Sequence, residues 1–255
     1  MNAPVYPLHR GVRRSLAHGI DLIYFSPIQL GDNRLVTPPN ERVYVGMDVD
    51  TANDACILTS RLASSGCGIK VGPHFILDKN FSRYIDGLCD INNGRFWDLK
   101  HLDIPETVKA AVSNAASRNF TYATINARSR KVVQAAAAAA KHKTLKILAV
   151  PLLTSDDEPF DSPVVRERIE WSVEAECHGL ICSPQDVAQA RKLIPTDWHV
   201  GTPGIVIDDF SRDHVRSGTP EQAIGDGATF IVLARYIIHA SDPVAALYRI
   251  IDRMK

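Results

Sequence analysis

From residue 43 onward, short runs of apolar and β-branched residues alternate with longer stretches that are rich in alanine and charge and carry apolar residues at helical spacing. Eight runs have the length and composition of strands: 43–48, 66–71, 95–100, 121–126, 145–150, 179–182, 198–201 and 229–233. Behind the first, Ala55, Leu58 and Leu62 recur at helical spacing after Asp50 and Thr51, either of which can cap a helix. Further helical stretches are expected at 104–118, 129–141, 164–177, 184–193, 220–225 and 243–254, and the run of alanines at 135–140 belongs to one of them. The segment 73–88 shows no clear period and is expected to be irregular. Eight βα units in about 210 residues predict a single (β/α)8 TIM barrel spanning 41–255. A doubly wound sheet is the competing architecture, and no GxGxxG follows the first strand to favour it.

Residues 1–40 break the pattern. Pro4, Pro7, Pro27, Pro38 and Pro39 interrupt any long period, and Arg10, Arg13 and Arg14 precede a short apolar segment at 20–25, so this part reads as an N-terminal extension. Its opening lacks the apolar run and cleavage site of a secretory signal, and a cytoplasmic location is expected.

Strand parity is the informative signal. Val43, Val45, Met47 and Val49 share one face of the first strand, opposite Tyr44, Gly46 and Asp48. Cys67, Ile69 and Val71 oppose Gly68 and Lys70 in the second, and Trp97 and Leu99 oppose Phe96, Asp98 and Lys100 in the third. If the uniformly apolar face packs on helices, then Asp48, Lys70, Asp98 and Lys100 all point into the barrel near the C-terminal strand ends, where barrel active sites are built. Desolvating an ion costs several kcal/mol, and a pair at about 4 Å recovers only about 4 kcal/mol at an effective dielectric near 20. Packing economy alone does not predict such a cluster; solvated loop residues or a self-satisfied ion network are the plain alternatives. Asp103 has a plainer reading still, because Asp103-Ile104-Pro105-Glu106 has the form of a capping box with Asp103 at the N-cap.

Composition narrows the partners. The 255 residues carry 29 Lys+Arg against 29 Asp+Glu, a balance that lacks the basic footprint of nucleic-acid or polybasic membrane binders. No apolar run approaches the roughly 20 residues of a membrane span. The five cysteines, Cys56, Cys67, Cys89, Cys177 and Cys182, form no CxxC pair, and the nine histidines show no HExxH, so neither a disulfide framework nor a metal site is expected. The cysteines are expected as small core residues.

The stretch from Asp98 to Val108, DLKHLDIPETV, resembles the third-strand signature D-x-K-x-x-D-I-x-x-T of orotidine 5'-phosphate decarboxylases at every defining position. Met47-Asp48 is similar to that family's first-strand Leu-Asp, Ile69-Lys70-Val71-Gly72 to its second-strand Lys-Val-Gly, and Leu153-Thr154-Ser155 to its Leu-Thr-Ser after strand five. Thr202-Pro203-Gly204-Ile205 and Thr219-Pro220-Glu221-Gln222-Ala223 resemble its later segments in the right order. The resemblance implies a homodimer with shared active sites that converts orotidine 5'-monophosphate to UMP and CO2 in pyrimidine biosynthesis, without metal or organic cofactor. It further implies that Lys100 protonates C6, that Asp98 stands beside the leaving CO2, and that Lys70 and Asp48 hold the ribose and the charge network. Asp103 and Thr107 would reach the partner subunit's site, and Ser155 would contact the pyrimidine.

The phosphate end departs from the family. Its Gly-Ile-Arg-Pro becomes Gly204-Ile205-Val206-Ile207, its Asp-Gln-x-Arg becomes Asp213-His214-Val215-Arg216, and its Gly-Arg-Pro becomes Ala234-Arg235-Tyr236; Asn126 stands where a histidine is usual. A weakened or re-routed phosphate grip is therefore expected, built from Arg235, His214 and the backbone near Gly204 and Ala234. Two other readings remain open: a Mg²⁺-dependent phosphosugar lyase or decarboxylase of the same superfamily, against which Ile104 and Thr107 argue, and a catalytically impaired ligand-binding barrel.

Overall fold

Eight parallel strands, hydrogen-bonded in chain order with the last returning to the first, close the sheet on itself in the computed structural model, which describes residues 38–88, 94–207 and 216–255. The strands are β1 (Val43–Gly46), β2 (Gly68–Val71), β3 (Arg95–His101), β4 (Tyr122–Asn126), β5 (Lys146–Val150), β6 (Gly179–Ile181), β7 (His199–Thr202) and β8 (Phe230–Leu233). Around them lie α1 (Ala52–Leu62), α2 (Phe81–Gly87), α3 (Pro105–Ser117), α4 (Arg130–Ala140), α5 (Pro163–Glu174), α6 (Val187–Arg191), α7 (Pro220–Gly225), α8 (Arg235–Ile238) and α9 (Pro243–Arg253). This is the (β/α)8 barrel that the alternating pattern predicts.

Local chemistry sets most helix starts. Thr51, Ser162, Thr219 and Asp242 accept hydrogen bonds from first-turn N–H groups, and α3, α5, α7 and α9 each open on proline, whose missing N–H is no loss at that position. In α9, Ala246, Leu247, Ile250 and Ile251 are buried at i, i+1, i+4, i+5, the stripe that fixes which side of the helix meets the barrel. The alanine run lies in α4, where Ala136, Ala137 and Ala140 are buried.

Two local expectations are corrected. Segment 73–88 contains α2, whose Phe81, Tyr84 and Ile85 are buried, with the Tyr84 hydroxyl 3.0 Å from Thr59 Oγ1 of α1. Helix α3 is capped by Ile104 rather than Asp103: Pro105 takes the first helical position, which moves Asp103 one residue outside, where its Oδ1 accepts the Ile104 N–H at 2.6 Å. Among the cysteines, Cys67, Cys177 and Cys182 are buried as expected, whereas Cys56 is exposed on α1, and Cys89 lies outside the described residues. Residues 1–37 of the N-terminal extension lie outside them as well, while Pro39–Arg42 forms a turn from which Arg42 donates to the carbonyls of Ala228 and Thr229.

Barrel closure leaves an interior that must be filled by stacked layers of inward side chains, typically four to a layer. Tyr44, Phe96, Tyr122 and Phe230 fill the lower layer with ring centroids 4.9–5.9 Å apart. Four rings fit because their neighbours are glycine: a Cβ on Gly68 would stand 2.3 Å from Tyr44 Cε1, and one on Gly201 2.3 Å from Phe230 Cζ. This plug supports the polar layer above it.

Below the plug, a cavity of about 190 Å³ is bordered by Tyr122 and His199. Lys146 Nζ lies 2.8 Å from His199 Nε2, and Tyr122 Oη lies 3.0 Å from Nδ1. With the ammonium donating to Nε2, the imidazole carries its own proton on Nδ1 and donates it to Tyr122. Burial first, then the charge of Lys146 with smaller contributions from His178 and Arg191 against Asp197, pushes His199 down to about 4. A folded pKa below the unfolded one means that this contribution is complete above about pH 6.5 and is lost as pH falls toward 4. Thermal stability is expected to decline over that window by on the order of 2 kcal/mol in the wild type. His199→Gln should flatten the decline; melting curves from pH 7 to 4 that run parallel for the two proteins would refute the assignment.

Candidate active site

The upper layer of the barrel is where the charges meet. Asp98 on β3 is 9% exposed, and its carboxylate takes a different partner on each oxygen: Lys100 Nζ at 2.8 Å and Thr124 Oγ1 at 2.9 Å on Oδ1, Lys70 Nζ at 3.1 Å on Oδ2. Lys70, on β2, also lies 3.9 Å from Asp48 Oδ1, just past the end of β1. Gly46 makes room for it, since a Cβ there would approach Lys70 Cε to 3.0 Å. The four inward charges predicted from strand parity thus form one alternating chain, Asp48–Lys70–Asp98–Lys100.

Geometry rather than parity finishes the arrangement at Lys100. The β3–β4 register runs Phe96 opposite Tyr122 and Trp97 opposite Ala123, then jumps to His101 opposite Ile125, so β3 carries extra residues across this stretch. Within the bulge Lys100 has φ +47°, a left-handed conformation that a lysine adopts only at a cost of about 1 kcal/mol or more. Thr124 holds it there, its hydroxyl accepting the Lys100 N–H at 2.9 Å while donating to Asp98. Sequence reading did not single out Thr124, although a signal existed: Tyr122, Thr124 and Asn126 share the inward parity of β4, and a threonine in that row has a hydroxyl to spend on an interior partner.

Electrostatics follow from these contacts. Burial would raise the Asp98 carboxyl, but the charges of Lys70 and then Lys100, with the Lys100 and Thr124 hydrogen bonds, outweigh it and hold the carboxyl below the ordinary aspartate range. Asp98 is therefore an anion at neutral pH between two cations. Such a site presents a fixed ammonium beside a fixed carboxylate at the mouth of a low-dielectric barrel, suited to stabilising negative charge that develops on a bound molecule. Among the described residues, no group of three or more His, Cys, Asp or Glu side chains is placed to hold a metal ion.

The remaining predicted residues lie on the segments that follow the strands. Asp103 and Thr107 are exposed, flanking the start of α3. Ser155 is exposed in the turn after β5, where Asp156 binds the Leu153 N–H at 3.2 Å and the Arg128 guanidinium at 2.7 Å. Asn126 accepts the Arg128 N–H at 3.1 Å, a local turn. Gly204, with φ +78°, is buried in the segment after β7, and Arg235 is exposed at the start of α8, a short helix that the sequence pattern did not reveal. His214 lies outside the described residues.

Comparison with known proteins finds relatives along most of the chain. Curated relatives named orotidine 5'-phosphate decarboxylase include one from Xanthomonas euvesicatoria, 32% identical over 228 residues covering 85% of this chain and 93% of the relative. Another, from Ruegeria pomeroyi, is 34% identical over 227 residues, covering 84% and 94%. The crystal structure of the orotidine 5'-phosphate decarboxylase from Lactobacillus acidophilus superposes with a TM-score of 0.70 at 27% identity, over 84% of this chain and 98% of that one. The family model for Orotidine 5'-phosphate decarboxylase / HUMPS matches residues 41–250, so the chain belongs to that family.

Proposed function

We propose that the protein decarboxylates orotidine 5'-monophosphate to UMP, the reading supported jointly by the relatives' names and by the buried Asp98 held between Lys70 and Lys100. The latter is the observation that carries it. Cleaving the C6–carboxylate bond leaves the electron pair in an sp² orbital on C6 with no conjugated sink, so the barrier falls only if a cation already stands where that charge forms. Lys100 is assigned that place. Its ammonium stabilises the developing carbanion and then gives a proton to C6, after which solvent restores the proton to the amine. Asp98 is assigned the position beside the substrate carboxylate, where its repulsion is relieved as neutral CO2 departs; that contribution is secondary to preorganised charge.

Lys70 and Asp48 are assigned to the ribose and to keeping the chain of charges alternating, Ser155 to the pyrimidine, and Gly204, His214 and Arg235 to the phosphate. Uniform binding of the non-reacting phosphate holds the ring in register. Asp103 and Thr107 are assigned to the site of a second copy in a homodimer, a cytoplasmic enzyme with two shared sites. Large apolar side chains beside them support this: Leu102 is 53% exposed and Ile104 66%. Loss of the substrate's absorbance on addition of purified protein, unchanged by a chelator, is the expected result. Turnover that collapses with chelator would instead favour a Mg²⁺-dependent phosphosugar enzyme, binding without CO2 release an impaired barrel, and a single-chain mass by sedimentation would remove the shared sites.

A further inference from the structure

The segment after β7 keeps none of the family's arginine and proline at 206–207, yet the described residues at its two ends are tied to each other and to the turn before α6. The entering end is tied to the leaving end: Gly218 N–H donates to Gly204 O at 3.2 Å, Val206 N–H donates to Gly218 O at 2.9 Å, and Ile205 and Gly218 form an isolated parallel bridge. The leaving end is tied in turn to the β6–α6 turn, through every polar side chain that the turn contains. Ser183 Oγ donates to Arg216 O at 3.0 Å, Gln185 Nε2 donates to Ser217 O at 3.0 Å, and Asp186 Oδ1 lies 3.3 Å from Arg216 Nη2, with side chains only 9% and 19% exposed. Gly218 is pressed onto the same turn, since a Cβ there would meet Pro184 Cβ at 2.8 Å.

A largely buried ion pair is a poor way to gain stability, because desolvation consumes most of the attraction. Arg216 makes this plainer: its Nη1 is buried with no hydrogen-bond partner among the described residues. What such a pair does supply is a fixed geometry. Among the described residues the ion pair of Asp186 and Arg216 is separate from the charge chain of β1–β3, and what it holds is the backbone that Gly218 ties to Gly204.

We propose that Asp186 and Arg216, with Gln185, are positioning residues that set the backbone of Gly204 and Ile205 for the substrate's phosphate, the Val206 N–H being spent on Gly218. The inference rests on the reading that this segment is the phosphate end of the site. Backbone N–H groups can use the phosphate's binding energy only if they are already aimed when the substrate arrives, and small displacements are costly. In a chain whose segment lacks the arginine and proline, the aim comes from the neighbouring β6–α6 turn.

The test compares orotidine 5'-monophosphate with orotidine, the same nucleoside without phosphate. In Asp186→Asn, kcat/KM for the phosphorylated substrate is expected to fall at least about tenfold, mainly through KM. The value for orotidine should stay within about twofold of wild type. Gln185→Ala, which leaves no buried charge uncompensated, should show the same selective loss at smaller size and keeps the test decisive if Asp186→Asn folds poorly. Equal losses on both substrates, or no loss on either, overturn the proposal. If wild type itself shows no preference for the phosphorylated substrate, it is the phosphate reading that fails, and the positioning role falls with it.

Discussion

Lys100→Ala is expected to lower kcat by at least about 10⁴-fold while leaving the melting temperature nearly unchanged. The two halves have separate reasons. General acids contribute about 10²–10⁴-fold and a preorganised charge donor about 10²–10³-fold, and the Lys100 ammonium is assigned both tasks. Stability is little affected because the side chain is 35% exposed and Asp98 keeps Lys70 and Thr124 as partners after it is gone. The left-handed backbone remains equally unfavourable for alanine, so no strain is released by the change. Single-turnover measurement of CO2 release decides the matter: a variant within tenfold of wild type would remove Lys100 as proton donor.

Asp98→Ala should damage both properties together. The carboxylate is the common partner of Lys70, Lys100 and the Thr124 hydroxyl, and without it two ammonium groups face each other, with only Asp48, at 3.9 Å from Lys70, left to compensate. Breaking a buried charge network by removing one partner costs about 3–5 kcal/mol, which for a domain of this size corresponds to roughly 6–20 °C in Tm. Activity should fall by more than about 10²-fold, since the lysines are no longer held in place. The network also has a pH signature. Its carboxyl titrates lower in the folded chain than in the unfolded one, so its contribution is complete above about pH 4 and decays only as the pH falls below that value. A Tm equal to that of wild type at pH 7 would show that Asp98 is not the keystone described.

Both predictions concern residues that strand parity had already turned inward. Period-two alternation is a property of each strand alone, and once the face carrying Val43, Val45, Ile69 and Val71 is recognised as the one packed on helices, the direction of Lys70 and Asp98 follows. Helix starts are similarly legible at Pro220 and Pro243, and to within one residue at Asp50-Thr51, where Thr51 is the cap, because caps and N-terminal prolines act within a single turn. The same locality explains the misreading at Asp103, where a capping box and a residue one step outside the helix share a sequence and differ only in where the chain turns.

What the sequence by itself determined was therefore the order of the eight strands and of the helices other than α2 and α8, the barrel they make, and which charges enter its mouth. Only the tertiary structure decided that Lys70 and Lys100 take opposite oxygens of Asp98, that Thr124 pins the bulge at Lys100, and that Asp186 meets Arg216 across thirty residues of chain. The physical reason is range. Periodicity and capping are written in neighbours along the chain, whereas these contacts depend on the stagger with which eight strands close, a quantity fixed by all of them at once.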